Sequence, residues 1–151
     1  VGGGLGVNYD SPDHQPIPDF KEYFHTYAKH LRLREGQQLH FELGRSVVAQ
    51  CGSLISRVLY VKQGSHKQFA ILDAYQALHK IQSLTSNEPT EVYDVVGPIC
   101  ESSDVFAKAI DLNKCHRGDL IAIRSAGAYG EIMASAYNCR QLPKGYITED
   151  L

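Results

Sequence analysis

No stretch of this 151-residue chain is apolar for long enough to span a bilayer, and no signal peptide opens it. Charge of one sign is lacking too. The formal net charge is only -2, which gives no electrostatic reason to expect nucleic acid or an anionic membrane as partner. The four cysteines (Cys51, Cys100, Cys115, Cys139) contain no CxxC pair, and the seven histidines are scattered without an HExxH. Zinc-knuckle and thioredoxin-like chemistry are therefore disfavoured, no metal site is expected, and cysteine usage points to a reducing, cytoplasmic compartment. Repeats and low-complexity segments are also missing. The chain opens at Val1 without an initiator Met and runs straight into glycines, so it reads as a piece of a longer protein.

What is present is 43% hydrophobic and 21% charged, the balance of a globular chain with a real core. Gly2-Gly3-Gly4-Leu5-Gly6 is a loop, and Asn8–Pro18, with three prolines, continues it. Pro18 and Asp19 then open a helix, with Phe20, Tyr23, Phe24, Tyr27, Ala28 and Leu31 on one face and Gly36 as its stop. Leu39–Leu43 alternates strictly and predicts a strand. Beyond it the Val, Ile and Tyr content of Ser46–Ala49, Leu54–Lys62, Gln68–Asp73, Glu91–Val96 and Leu120–Ile123 predicts antiparallel sheet, with a turn at Gly64-Ser65. Residues 76–90 are ambiguous, and Gly127–Asn138 could form a short helix. The order fits the last βα units of a barrel (residues 1–45) followed by a β domain (46–151).

Four clusters could carry chemistry. The glycine turn could present backbone N–H groups to a phosphate, although it matches neither a Walker loop nor a dinucleotide fingerprint; a plain flexible turn is the alternative. In Glu42-Leu43-Gly44-Arg45, an enclosed Glu42 would need a partner such as a protonated ring nitrogen, and Arg45 could hold a carboxylate; an ordinary ion pair is the alternative. Gly97-Pro98-Ile99-Cys100-Glu101-Ser102-Ser103-Asp104 offers a thiol and two carboxylates after a strand, or else a Ser-Ser-Asp helix cap beside a structural Cys. Gly127-Ala128-Tyr129-Gly130 permits close approach of a ligand or of another backbone.

Taken in this order, with Met133-Ala134-Ser135 and Tyr137-Asn138, the clusters resemble diaminopimelate decarboxylase over almost the whole chain. The resemblance implies a pyridoxal 5'-phosphate (PLP)-binding (β/α)8 barrel followed by a C-terminal antiparallel β-sandwich or barrel, a mainly β chain with some α. It also implies a homodimer with shared sites that removes CO2 from meso-diaminopimelate to give L-lysine. By position, Gly2, Gly3 and Gly4 would cradle the cofactor phosphate, Glu42 would face the pyridine nitrogen, and Gly44 and Arg45 would line the cofactor. Arg45 would also grip a substrate carboxylate. Cys100 would donate a proton, Glu101 would pair with the distal ammonium group, and Tyr129 and Tyr75 would contact the substrate. Glu rather than Asp after the cysteine favours diaminopimelate over ornithine, arginine or a polyamine precursor as substrate, and the retained polar set argues against a non-catalytic binding relative. Leu43 stands where the family has Pro. None of the eight lysines stands where the family carries its cofactor lysine, so the chain alone is expected to be inactive. About ten residues, including a substrate-binding Arg, are missing between Ala74 and Tyr75, either a true deletion or, the favoured reading, a mobile loop left out of the numbering. The aromatic helix face needs cover once its barrel neighbours are gone, so self-association is expected.

Overall fold

In a computed structural model the described residues are Val1, 4–72 and 79–150. The expected helix forms as α1, Phe20–His30, capped by Asp19, whose carboxylate accepts the Glu22 N–H at 2.8 Å. It ends before Gly36, because Leu31 swings to extended backbone while its N–H still reaches the Tyr27 carbonyl. Gly36 instead takes a left-handed conformation (φ 78°) in a separate turn. No residue of α1 is buried. Its ridge of Tyr23, Phe24 and Tyr27 meets Phe41 edge-on, with ring centroids 5.8, 4.8 and 5.1 Å from it.

Two expected strands are absent. Residues 39–43 run extended but join no ladder. They make one rung, in which the Val1 amine donates to His40 O and the Glu42 N–H donates to Val1 O. That is a parallel pattern with Val1 opposite Phe41. A barrel strand needs a neighbour on each side, and one rung does not make a strand. Ser46–Ala49 is helical instead: α2 spans Arg45–Val48 and a 3-10 turn follows over Ala49–Cys51. Local bonds from Val47 N–H to Gly44 O and from Ala49 N–H to Arg45 O override the β preference of Val47 and Val48. Ser46 and Ala49 face inward, and both valines are exposed.

Six strands build the rest: β1 Leu54–Gln63, β2 Gln68–Leu72, β3 Ile81–Ser83, β4 Thr90–Val96, β5 Val105–Asn113 and β6 Leu120–Ile123. Their order is β3-β6-β1-β2-β4-β5, and β3 approaches β5, so the sheet curls into a nearly closed barrel. Every pairing is antiparallel except β2 with β4, which is parallel. Val58, Leu72, Tyr93, Val95, Phe106, Ile121 and Ile123 fill the interior. The Tyr93 hydroxyl is satisfied there, accepting the Cys115 N–H and donating to Glu91. Burial pushes the Cys115 thiol up to about 11, so it stays protonated and unreactive at neutral pH. The Gly127–Asn138 stretch forms turns and a 3-10 segment at Tyr137–Cys139, not an α-helix.

Register decides where the loops go. Leu54 lies opposite Ile123, Val58 opposite Leu72, Ile71 beside Val96, Val96 opposite Val105 and Ile81 opposite Ile123. One end of the barrel therefore gathers the entry to β1, the exit of β2, the start of β3, the β4–β5 loop and the exit of β6. The other end holds only the short turns around Gly64, Thr85–Pro89 and Lys114–Asp119.

Asp94 is 7% exposed in β4 yet charged. Lys67 donates to its Oδ2 at 2.8 Å and the Ala109 N–H to its Oδ1 at 2.8 Å. The Lys67 ammonium holds its carboxyl below the usual carboxylate range. Because the folded value is depressed, this stabilisation is complete above the unfolded value near 3.8 and is lost as pH falls through the folded value. Asp94→Asn should cost about 1 kcal/mol at pH 7, a modest figure because Lys67 is largely exposed. Urea titrations should show the gap between wild type and variant closing in strong acid.

Candidate functional site

Among the described residues, Gly4, Arg45, Cys100, Glu101 and Tyr129 lie toward that crowded end. Arg45 opens α2 directly after Gly44, and its Nη2 lies 3.5 Å from where a side chain on Gly4 would begin. Nothing lies within 4 Å of the corresponding position at Gly6. Gly4 and Gly6 thus leave the backbone open with a guanidinium beside Gly4, a donor set suited to an anion such as phosphate. Gly127 explains the next contact. A Cβ there would fall 2.1 Å from Val48 O and 2.8 Å from Gly52 N. Without one, the Gly127 N–H donates to Ala49 O at 2.9 Å and the Ala126 N–H to Gly52 O at 2.8 Å. The segment holding Tyr129 therefore lies flush against the end of α2. Tyr129 itself is left-handed (φ 67°) and exposed. Glu42 is exposed on the segment that carries the Val1 rung.

Cys100 and Glu101 sit on the β4–β5 loop at the same end, held by their own anchors. Asp104 is 2% exposed, and its Oδ2 accepts the Ile99 N–H at 2.8 Å. Gly97 N–H donates to Asp104 O at 3.1 Å and Asp104 N–H to Glu101 O at 3.2 Å. Ser103 Oγ donates to Glu101 Oε1 at 2.6 Å. No helix follows, so Asp104 closes a loop instead of capping a helix. Cys100 is exposed at its crest. Gly2, Gly3, Tyr75 and the Ala74–Tyr75 junction lie outside the described residues.

A second set of residues escaped the sequence reading. The Asn8–Pro18 loop is tied to the β domain by Gln50, which donates to Pro12 O and Gln15 O, and by Arg124, whose Nη2 meets Asp13 Oδ1 at 2.8 Å. Lys80 N–H donates to Tyr9 O, and the Tyr9 ring stands edge-on to His79 at 4.7 Å. Gln50 and Arg124 belong to no pattern, and the Arg124–Asp13 pair is separated by 111 positions, so local sequence gave no signal. Between this loop, the glycine turn and Gln50 is a cavity of about 260 Å³. Ligand sites are commonly about 300–1,000 Å³, so a cofactor with its substrate needs walls beyond this cavity.

A model of the pyridoxal-dependent decarboxylase C-terminal sheet domain matches residues 9–127. The chain belongs to the pyridoxal-dependent decarboxylase family. A diaminopimelate decarboxylase of Bacteroides thetaiotaomicron is 69% identical over 161 aligned positions that take in the whole chain and 42% of that protein. A crystal structure of the Helicobacter pylori diaminopimelate decarboxylase complexed with L-lysine matches with TM-score 0.74 at 39% identity, over 91% of this chain and 36% of that one. A diaminopimelate decarboxylase structure from M. jannaschi matches with TM-score 0.76 at 36% identity, over 93% and 35%. The chain thus spans about two fifths of the length of these relatives. The 161 aligned positions exceed the chain's 151 residues by ten.

Burial pushes the His79 imidazole below its ordinary value of 6.5, against an opposing hydrogen bond with the Arg124 backbone. With the folded value depressed, the neutral ring costs nothing above pH 6.5, and stability falls as the pH drops below it, because the unfolded chain takes up the proton first. Thermal melts of wild type against His79→Gln between pH 8 and pH 5 should show a shallower loss in the variant.

Proposed function

We propose that this chain is the C-terminal part of a diaminopimelate decarboxylase, in which residues 1–45 complete a PLP-binding barrel and residues 46–151 form the β domain. The observation that carries the reading is the 69% identity with a diaminopimelate decarboxylase, in a chain whose glycine turn, Arg45 and Tyr129 segment meet at one corner. The whole protein would convert meso-2,6-diaminopimelate to L-lysine and CO2.

Gly2, Gly3 and Gly4 would hold the cofactor phosphate by backbone N–H groups, with the Arg45 guanidinium as counter-charge. The open backbone at Gly4 and Gly6 fits that role. Glu42 would accept a hydrogen bond from the pyridine nitrogen and keep it protonated. When bound, PLP supplies the electron sink for the charge left on carbon by departing CO2. The other roles belong to the chain. Arg45 would bind a substrate carboxylate through two parallel hydrogen bonds. Tyr129 and Tyr75 would pack against the substrate, and Glu101 would take the distal ammonium group. Cys100 would deliver a proton from Sγ to the carbon that lost CO2. The Cys100–Glu101 loop would serve the active site of the partner in a homodimer. Four free thiols support a reducing cytoplasm as the place of action. This chain alone would hold no PLP for lack of the cofactor lysine.

Full-length enzyme supplied with meso-diaminopimelate should release lysine, and the isolated chain should not. Cys100→Ala should lower kcat by about 10²–10⁴-fold, and Glu101→Asp should raise KM. Mixing the Cys100→Ala enzyme with one lacking the cofactor lysine should restore about a quarter of the activity, as statistical pairing into two-site dimers requires. No recovery would contradict the shared site.

A further inference from the structure

We infer that Asp104 and Gly97 form an interlocked pair that sets the conformation of the Cys100–Glu101 loop, making Asp104 a positioning residue for the chemistry carried by that loop. The assignment of chemistry to Cys100 and Glu101 rests on the proposed function; the interlock rests on geometry alone. Asp104 precedes β5 and Gly97 follows β4, so the two residues stand at the two feet of one loop. Their backbones are joined by the Gly97 N–H bond to Asp104 O. The Asp104 carboxylate then lies flat on the α-carbon of Gly97. A Cβ at Gly97 would fall 2.1 Å from Oδ1, 2.2 Å from Oδ2 and 2.4 Å from Cγ. These are its three nearest neighbours, so the space a side chain would need at 97 is filled by the carboxylate.

From that seat Oδ2 accepts the Ile99 N–H, fixing the backbone immediately before Cys100, while the Asp104 N–H bonds to Glu101 O, fixing the backbone immediately after it. The exposed thiol is therefore bracketed by two bonds that both originate at Asp104. Oδ1 is buried and has no hydrogen-bond partner. A buried carboxylate oxygen left unpaired is costly. Burial, together with the nearby Glu101 charge, raises the Asp104 carboxyl above its ordinary range. An aspartate whose only need was to cap a turn would not require burial under a glycine. Its side chain is wedged between the loop's feet, and the loop's shape follows from the wedge.

Two substitutions and their combination test this in the full-length holoenzyme. Asp104→Ala removes the wedge and one of the two bracketing bonds. It should lower kcat/KM for meso-diaminopimelate by about ten- to a hundredfold, as displacement of reacting groups by an ångström does. Asp104→Asn keeps the shape and an acceptor for Ile99 N–H and should stay within about threefold of wild type. Gly97→Ala should match the Asp104→Ala defect. In an Asp104→Ala background, however, the same glycine substitution should add little, because the atoms it collides with are gone.

A second readout is independent of catalysis: the alkylation rate of Cys100 by iodoacetamide, followed on its own peptide by mass spectrometry. It should shift several-fold in Asp104→Ala and Gly97→Ala and return to wild type in Asp104→Asn. Unchanged alkylation and unchanged kcat/KM in Asp104→Ala would overturn the inference, as would simple multiplicative effects in the double variant. If Asp104→Ala does not fold, Gly97→Ala against Asp104→Asn carries the same contrast. If wild-type enzyme fails to decarboxylate diaminopimelate, the proposed function falls, while alkylation still decides the interlock.

Discussion

The parallel pairing of β2 with β4 is the constraint on which the rest of the fold depends. Two parallel neighbours cannot be joined by a tight turn, so the chain must leave β2, cross and return. It does so by laying β3 against β6 on the far side of the sheet before entering β4. Strand direction nevertheless alternates along the chain, so the exits of β2, β4 and β6 share one end. A meander in chain order would also bring these exits to one end; what the crossover changes is adjacency, seating β4 and its Cys100 loop beside β2 instead of beside β3.

Much of the fold was legible, and the misses have physical causes. The Phe20–His30 face was visible because its aromatics recur at helical spacing, and β1, β2, β4 and β6 were visible because each is dense in Val, Ile, Leu or Tyr. β3 was hidden: Ile81-Gln82-Ser83 has no pattern of its own and is a strand only through its register on β6. β5 was hidden by Ala107-Lys108-Ala109-Ile110-Asp111, which has little β preference. It is held by a shifted register on β4 and by Asp94 accepting the Ala109 N–H at a left-handed residue. At Val47-Val48 residue type pointed to a strand, and backbone bonds to Gly44 and Arg45 prevailed.

The site was legible residue by residue but not as an arrangement. A glycine turn, an acid–arginine pair and a Gly-Ala-Tyr-Gly loop can each be read from the chain, and the resemblance supplied roles for them. That Gly4 faces Arg45, and that Gly127 lies on Ala49 O, depends on backbone approaches that no spacing encodes. The tie between Asp13 and Arg124 and the edge-on meeting of Tyr9 with His79 are products of topology. Asp104 is the instructive case. Local sequence offered it as a helix cap, and the competing partner was a glycine seven residues earlier.

Curling β3 toward β5 has a consequence for how the molecule meets others of its kind. Open sheets carry two rows of unsatisfied backbone groups on which foreign strands can template. Here one rim is three residues long and the other turns inward to meet it, so the described residues offer little footing for runaway strand addition. Contacts with neighbouring subunits are then left to side chains, which can be selective where bare main chain cannot.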